Sequence, residues 1–206
     1  MSSTVSIPWK SLPLPVRLVM ERLEGKGFQA FLVGGCLRDL LRGEIPQDYD
    51  LASTAPPEEM EQLLAPYPVI PTGLRYGTVT AVVEGQALEI TRLRREGSYK
   101  DGRRPDWVVP TDNILEDLAR RDFTINAMAF SPSQGLIDPF GGANDLENRL
   151  IRAVGEPDRR FQEDGLRILR GLRFASRLDF DLEQDTARAL VEKRHLLCQV
   201  AQERIT

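Results

Sequence analysis

The stretch IPQDYDLAST, residues 45–54, decides how the rest of the chain is read. Asp48 and Asp50 sit one residue apart in a run with strand character. A strand alternates faces with period two, so the two acids point one way and Tyr49 and Leu51 the other. Like charges on one face repel, and each favours water. One reading is an exposed strand end whose solvent face is acidic. The other is a divalent-metal site, because Mg²⁺ takes few protein carboxylates and fills its shell with water and substrate phosphates. LDFDLE repeats the spacing with Asp179 and Asp181 and serves as an internal control.

The neighbours of the first pair favour the metal reading. Gly34 and Gly35 lie between a strand candidate (28–33) and a short helix, GGCLRDLLRG. Glycines let backbone N–H groups approach a ligand, and a helix start favours anions. Arg38 follows within one turn, and Asp48 and Asp50 come on the next strand. A phosphate cradle, an arginine and two metal-binding acids make a nucleoside triphosphate site. LDFDLE has no such company and is assigned a structural role. In ALEITRL, Glu89 shares a face with Ala87 and Thr91. It is either a surface glutamate or a third carboxylate, if its strand lies beside 48–51.

Strand and helix patterns mix up to about residue 150. A helix over 15–27 is followed by the strand–helix–strand run just described. A helix opens at Pro56, and two strands form a hairpin at 84–86. The Gly- and Arg-rich segment 94–110 reads as a mobile loop, and 113–130 as helical with Thr124 capping its second part. LIDPFGGANDLENRLI gives a strand, a turn and a helix, and only helices are expected from Pro157 onward. The fold class is therefore α+β, with a helical segment after the mixed part.

At 206 residues the chain can hold one sizeable core or one domain plus a smaller one. No apolar run approaches the ~18 residues of a membrane span, and the N-terminus lacks a signal-peptide pattern. Cys36 and Cys198 form no metal pattern and read as reduced thiols of a cytoplasmic protein. His195 alone supports neither a Ser-His-Asp triad nor a histidine-rich metal centre. The net charge of −4 argues against nonspecific nucleic-acid binding by the whole surface. Residues 149–177, however, carry eight arginines against four acids, a local +4 suited to phosphates.

VGGCLRDLLRGEIPQDYDLAS, RRDFTINAMA, IDPFGGANDL and EDGLRILRGLRF resemble, in order and spacing, motifs of the class II tRNA nucleotidyltransferases. These are the CCA-adding enzymes, and the bacterial poly(A) polymerases are their relatives. The resemblance covers about residues 28–180. It implies a polymerase-β-type nucleotidyltransferase head with a mixed sheet over 1–150. A helical neck over 151–206 would recognise the nucleotide base. It implies that Asp48 and Asp50 hold Mg²⁺, with Glu89 as third catalytic acid. Gly35, Arg38 and Arg121 would bind the triphosphate, beside the cradle glycine Gly34, with Asp122 and Asn126 near the ribose. Asp164 and Arg167 would read the base, supported by Arg170 and Arg173.

The implied base reading makes chemical sense. Asp164, Arg167, Arg170 and Arg173 are spaced by three, along one side of a helix. An aspartate accepts from an exocyclic amino group, and an arginine donates to a ring nitrogen or carbonyl. Cytosine and adenine share that pattern; uracil and guanine present its opposite. The expected reaction is template-independent addition of C and A to the 3′ end of tRNA from CTP and ATP, with release of pyrophosphate. Rivals are an A-adding or CC-adding enzyme, a poly(A) polymerase, or a catalytically silent nucleotide-binding module. CC-only relatives tend to have the 94–110 loop shortened, which counts against that option here. The last residues, QERIT, resemble the opening of a further neck motif. The family's remaining neck, body and tail, which grip tRNA, lie outside this sequence.

Overall fold

The computed structural model describes residues 7–73, 77–99 and 105–205. In chain order its elements are α1 (Leu14–Glu24), β1 (Ala30–Val33), α2 (Gly35–Leu41), β2 (Asp50–Ser53), α3 (Pro57–Leu64), β3 (Val69–Gly73), β4 (Thr78–Val83) and β5 (Gln86–Arg92). Then come β6 (Arg94–Glu96), β7 (Val108–Pro110), α4 (Ile114–Ala119), β8 (Ala129–Ser131), β9 (Gly135–Ile137), α5 (Gly142–Glu147) and β10 (Leu150–Ile151). The last are α6 (Pro157–Glu163), α7 (Leu166–Leu178), β11 (Asp181–Leu182) and α8 (Gln184–Glu192). They form two compact units. One comprises residues 1–93, 110–114 and 128–137; the other comprises 94–109, 115–127 and 138–206.

The first unit is built on a mixed seven-stranded sheet in the order β3-β4-β5-β2-β1-β8-β9. β2 and β5 run parallel, and the other neighbours run antiparallel. Register sorts the side chains by chemistry. Leu32, Leu51, Ile90 and Val79 form one row across four strands, all buried. α1 and α3 pack on each other and on this sheet. Val16, Val19, Met20 and Leu23 recur at helical spacing on α1 and are all buried. The adjacent row, on the opposite face, is Val33, Asp50, Glu89 and Thr80. The core and the acidic row are thus two sides of one register.

The second unit is mostly helical. Phe123, Phe161 and Ile168 are buried in it, and Phe123 meets Phe174 edge to face at 5.8 Å. Gly171 of α7 makes room for Phe123: a Cβ there would sit 3.0 Å from the Phe123 ring.

Four expectations change. Segment 94–110 is not an open loop in its described part. β6 pairs with β7, and Gly97 N–H donates to the Trp107 carbonyl at 2.9 Å. A Cβ on Gly97 would lie 2.6 Å from the Trp107 indole, so only glycine lets that ring lie on the ribbon. The tip, 100–104, falls outside the described residues. Residues 127–130 are not helical: β8 pairs with β1 there, because this wholly apolar run is buried at the sheet. Thr124 does not cap; its hydroxyl donates to Asp145 instead, at 2.7 Å. LDFDLE contains the two-residue strand β11, parallel to β10. Its Asp179 is a left-handed residue closing α7 and pairs with Arg149, as a structural role requires.

The β4–β5 hairpin closes on Glu84 and Gly85, with φ of 49° and 80°. Two successive positive φ values make a type I′ turn, in which Asn-Gly is favoured and a glutamate is strained. Glu84→Asn is expected to stabilise the protein by about 0.5–1 kcal/mol. A thermal-unfolding midpoint that fails to rise would contradict this account of the turn.

Candidate functional site

In the first unit, Asp48 lies in a bend just before β2 and Asp50 opens the strand. Asp48 therefore falls outside the regular strand expected for it, yet the alternation holds. Both acids are exposed, while Tyr49 and Leu51 are 6% and 1% exposed. Glu89 lies directly beside Asp50 across the parallel β2–β5 pairing, and it too is exposed. Like-charged neighbours across a strand pair destabilise a sheet unless something binds between them. Among the described residues, no three His, Cys, Asp or Glu side chains converge as a metal-ligand set. The fit to Mg²⁺ is thus that of two carboxylates, Asp48 and Asp50, with water and phosphate oxygens completing the shell. Glu89 lies beside Asp50, as its reading as a third acid requires.

Gly34 ends β1 with φ 75° and ψ −142°, a conformation open to glycine alone. It turns the chain into α2, where the guanidinium of Arg38 lies 3.6 Å from the position a Cβ on Gly35 would take. Arg38 is buried and ion-paired with Asp39 at 2.7 Å. The turn, the arginine and the two acids all follow one another along β1, α2 and β2.

The other expected residues belong to the second unit. Asp122 is buried and accepts from the Phe123 N–H at 2.8 Å, from Asn126 at 3.5 Å and from Arg170 Nε at 2.6 Å. Arg121 donates to the Asn126 carbonyl at 3.3 Å and to Asp117 at 3.3 Å. Arg121, Asp122, Asn126 and Arg170 are therefore one connected cluster. The 164-167-170-173 series is not one stripe. Asp164 sits in extended backbone between α6 and α7, with φ −153°. A step of three residues also rotates about 60° around an α-helix. Arg167 is buried, Arg170 is half-exposed and Arg173 is exposed. Asp164 accepts two bonds from Arg204, at 3.2 and 2.7 Å, and Arg167 pairs with Glu163 at 2.6 Å. The two expected base readers are not paired with each other.

Sequence reasoning missed the ionic frame around these residues. Asp117, 1% exposed, accepts from Arg120, from Arg121 and from the Arg94 N–H. Glu163 accepts from Arg159, Arg160 and Arg167, and Glu96 accepts from Arg94, Arg120 and the Tyr99 hydroxyl. The Arg160 and Arg167 guanidinium groups also reach the Ala119 and Arg120 carbonyls. A pocket of about 250 Å³ is lined by Glu96, Tyr99, Arg120, Arg159, Arg160 and Glu163 among others. The signal for Asp117 was its i+3 and i+4 spacing to Arg120 and Arg121. Burial pushes the Tyr99 phenol up, and the Glu96 carboxylate pushes it further.

A model described as the poly A polymerase head domain matches residues 30–152. The chain belongs to that family. It is 47% identical over 187 residues to the CCA-adding enzyme of Lactobacillus helveticus, which covers 91% of this chain and 46% of that protein. It is 45% identical over 189 residues to the CCA-adding enzyme of Pediococcus pentosaceus, covering 92% and 47%. Among solved structures, the Bacillus stearothermophilus CCA-adding enzyme in complex with CTP superposes with a TM-score of 0.83 at 39% identity, over 94% of this chain and 47% of that one. A tRNA nucleotidyltransferase complexed with a primer tRNA and an incoming ATP analog superposes with a TM-score of 0.77 at 35% identity, over 91% and 53%. The chain spans about half the length of the curated relatives it matches.

Burial alone would raise the Asp117 carboxyl, but Arg120 and Arg121 outweigh it and hold the group below its ordinary 3.8. A depressed carboxylate contributes stability above its unfolded value and loses it as pH falls through its folded value. Unfolding free energy should therefore fall more steeply below about pH 4 in the wild type than in Asp117→Asn. Parallel acid profiles for the two proteins would refute the assignment.

Proposed function

We propose that the chain carries the catalytic head, over 1–150, and the start of a helical neck, over 151–206, of a cytoplasmic, Mg²⁺-dependent tRNA nucleotidyltransferase. It adds C and A to the 3′ end of tRNA from CTP and ATP. The observation that carries this reading is the acidic row: Asp50 and Glu89 on neighbouring strands, with Asp48 exposed two residues before Asp50, next to the Gly34 turn. The names of the matched relatives, and the CTP complex of one neighbour, support the same chemistry. Among the described residues no helix is long and apolar enough to cross a membrane.

In this reaction the tRNA 3′-hydroxyl gives up its proton to solvent, its oxygen bonds to the α-phosphorus as the bond from that phosphorus to the β-bridging oxygen breaks, and pyrophosphate leaves. Asp48 and Asp50 hold Mg²⁺, which supplies Lewis acidity to the reacting oxygens when bound. Glu89 adds negative potential beside Asp50 and helps draw the cation in. Gly34 and Gly35 leave the backbone open to phosphate, and Arg38 and Arg121 offset its charge. Asp122, steadied by Arg170, faces the ribose with Asn126. Asp164 and Arg167 read the base once Arg204 and Glu163 yield to it, and Arg173 adds positive charge nearby. Poly(A) synthesis is the second reading, favoured by the description of the matched family.

Asp48→Ala and Asp50→Ala should each reduce incorporation by at least about a thousandfold without loss of fold, since removing a metal ligand removes transition-state stabilisation worth several kcal/mol. Radiolabelled CTP and ATP with tRNA lacking its 3′ CCA, using the full-length gene product, provide the assay. Retained activity in Asp48→Ala refutes the metal site, and long homopolymers of A would decide for poly(A) synthesis.

Asp164→Ala should cost more preference for CTP over UTP than overall nucleotide affinity. A site that hydrogen-bonds one base rejects another by leaving buried groups unmatched. Competition binding of the four triphosphates tests this, and an unchanged ranking places base reading elsewhere.

A further inference from the structure

Asp117 takes no part in the chemistry just described, yet it is among the most deeply buried charges of the second unit. One carboxylate oxygen accepts from Arg120 Nε and Nη2, at 3.0 and 2.7 Å, and from the Arg94 backbone N–H at 3.3 Å. The other accepts from Arg121 Nη2 at 3.3 Å. One arginine would suffice to neutralise it, and Arg120 does so with the better geometry. The second arginine needs a separate explanation.

Arg121 is pinned at two points, Nη2 on Asp117 and Nη1 on the Asn126 carbonyl. A guanidinium is planar, so two fixed Nη atoms fix its plane. The result leaves Arg121 Nε buried with no partner, the one such side-chain N or O atom among the described residues. An arginine free to choose its rotamer would not leave a buried donor unmet. Its orientation is therefore imposed by Asp117 and Asn126 at the expense of its own hydrogen bonding. Such imposed geometry belongs to groups that meet a ligand. The side chain keeps 18% of its surface exposed, so part of the held guanidinium is open to solvent.

We propose that Asp117 is a positioning residue for nucleotide binding: it holds the guanidinium of Arg121 in the orientation that receives the triphosphate. This rests on the nucleotidyltransferase reading, in which Arg121 contacts phosphate. A purely structural Asp117 would stabilise the fold by its pairs with Arg120 and Arg94 and would act on affinity independently of Arg121.

A double-mutant cycle separates the two, because residues that act through one another are not additive. CTP affinity with Mg²⁺ is measured by calorimetry for the wild-type chain, Asp117→Asn, Arg121→Ala and the double variant. Asp117→Asn is expected to weaken CTP about tenfold when Arg121 is present and less than about twofold when it is absent. A neutral residue at a buried, doubly paired position can prevent folding, so the cycle is repeated with Asp117→Glu. That variant keeps the charge, and its expected loss is about threefold with Arg121 and none without it. Equal losses in both backgrounds, or no loss in either, overturn the Asp117 assignment while leaving the functional reading intact. Failure of the folded wild-type chain to bind CTP overturns that reading and this proposal with it.

Discussion

The parallel register of β2 with β5 is the constraint on which the first unit depends. It sets Leu51 beside Ile90 and, one residue earlier, Asp50 beside Glu89. A slip of one residue would send every side chain of a strand to the opposite face. Leucine and isoleucine would then meet water, and two carboxylates would be driven among α1 and α3. Burying an apolar side chain of this size is worth roughly 1.5–3 kcal/mol, and burying an unpaired charge costs more. The apolar row thus fixes the acidic row. The sheet tolerates two adjacent like charges because the other side of the same register outweighs their repulsion.

The second unit solves a different problem, the storage of many arginines near the interior. Three of its carboxylates each serve several guanidinium groups: three arginines on Glu163, two on Asp117 and two on Glu96. Sharing reduces the number of buried acids needed: these three acids face six arginines, a local positive excess suited to phosphates. A single broken pair in such a frame strands a charge, so these residues are coupled in a way surface ion pairs are not. The Ala119 and Arg120 carbonyls receive Arg160 and Arg167, which ties α6 and α7 to the segment that presents Arg121 and Asp122.

Much of this was legible in the chain itself. The period-two pattern of 48–51 placed both acids outward and Tyr49 and Leu51 inward, and the structure agrees. The first helix and the 84–86 hairpin were equally plain. Glu89 stayed undecided because its pairing with Asp50 joins strands separated by α3, β3 and β4, and no local pattern reports strand order. Residues 127–130 read as helix because a short apolar run carries no period of its own. The arginine series misled for a geometric reason: spacing by three drifts around a helix, and at Asp164 the helix has not yet begun. Asp117 was visible as the i−3 and i−4 partner of two arginines. Its importance follows from burial, which a charged residue in a polar-looking helix does not advertise.

The order of strands in the sheet also has a consequence for how the protein is made. β1 lies between β2 and β8, and all four of its residues are buried. A ribosome delivers β2 soon after β1, but β8 begins only at residue 129. Until then the second edge of β1, at Leu32 and Val33, has no strand to close it. An open apolar edge is a template for pairing with the wrong chain. Nascent chains of this protein therefore pass through a long interval in which their most adhesive backbone is uncovered, and β8 and β9, the last strands of that sheet to emerge, end it.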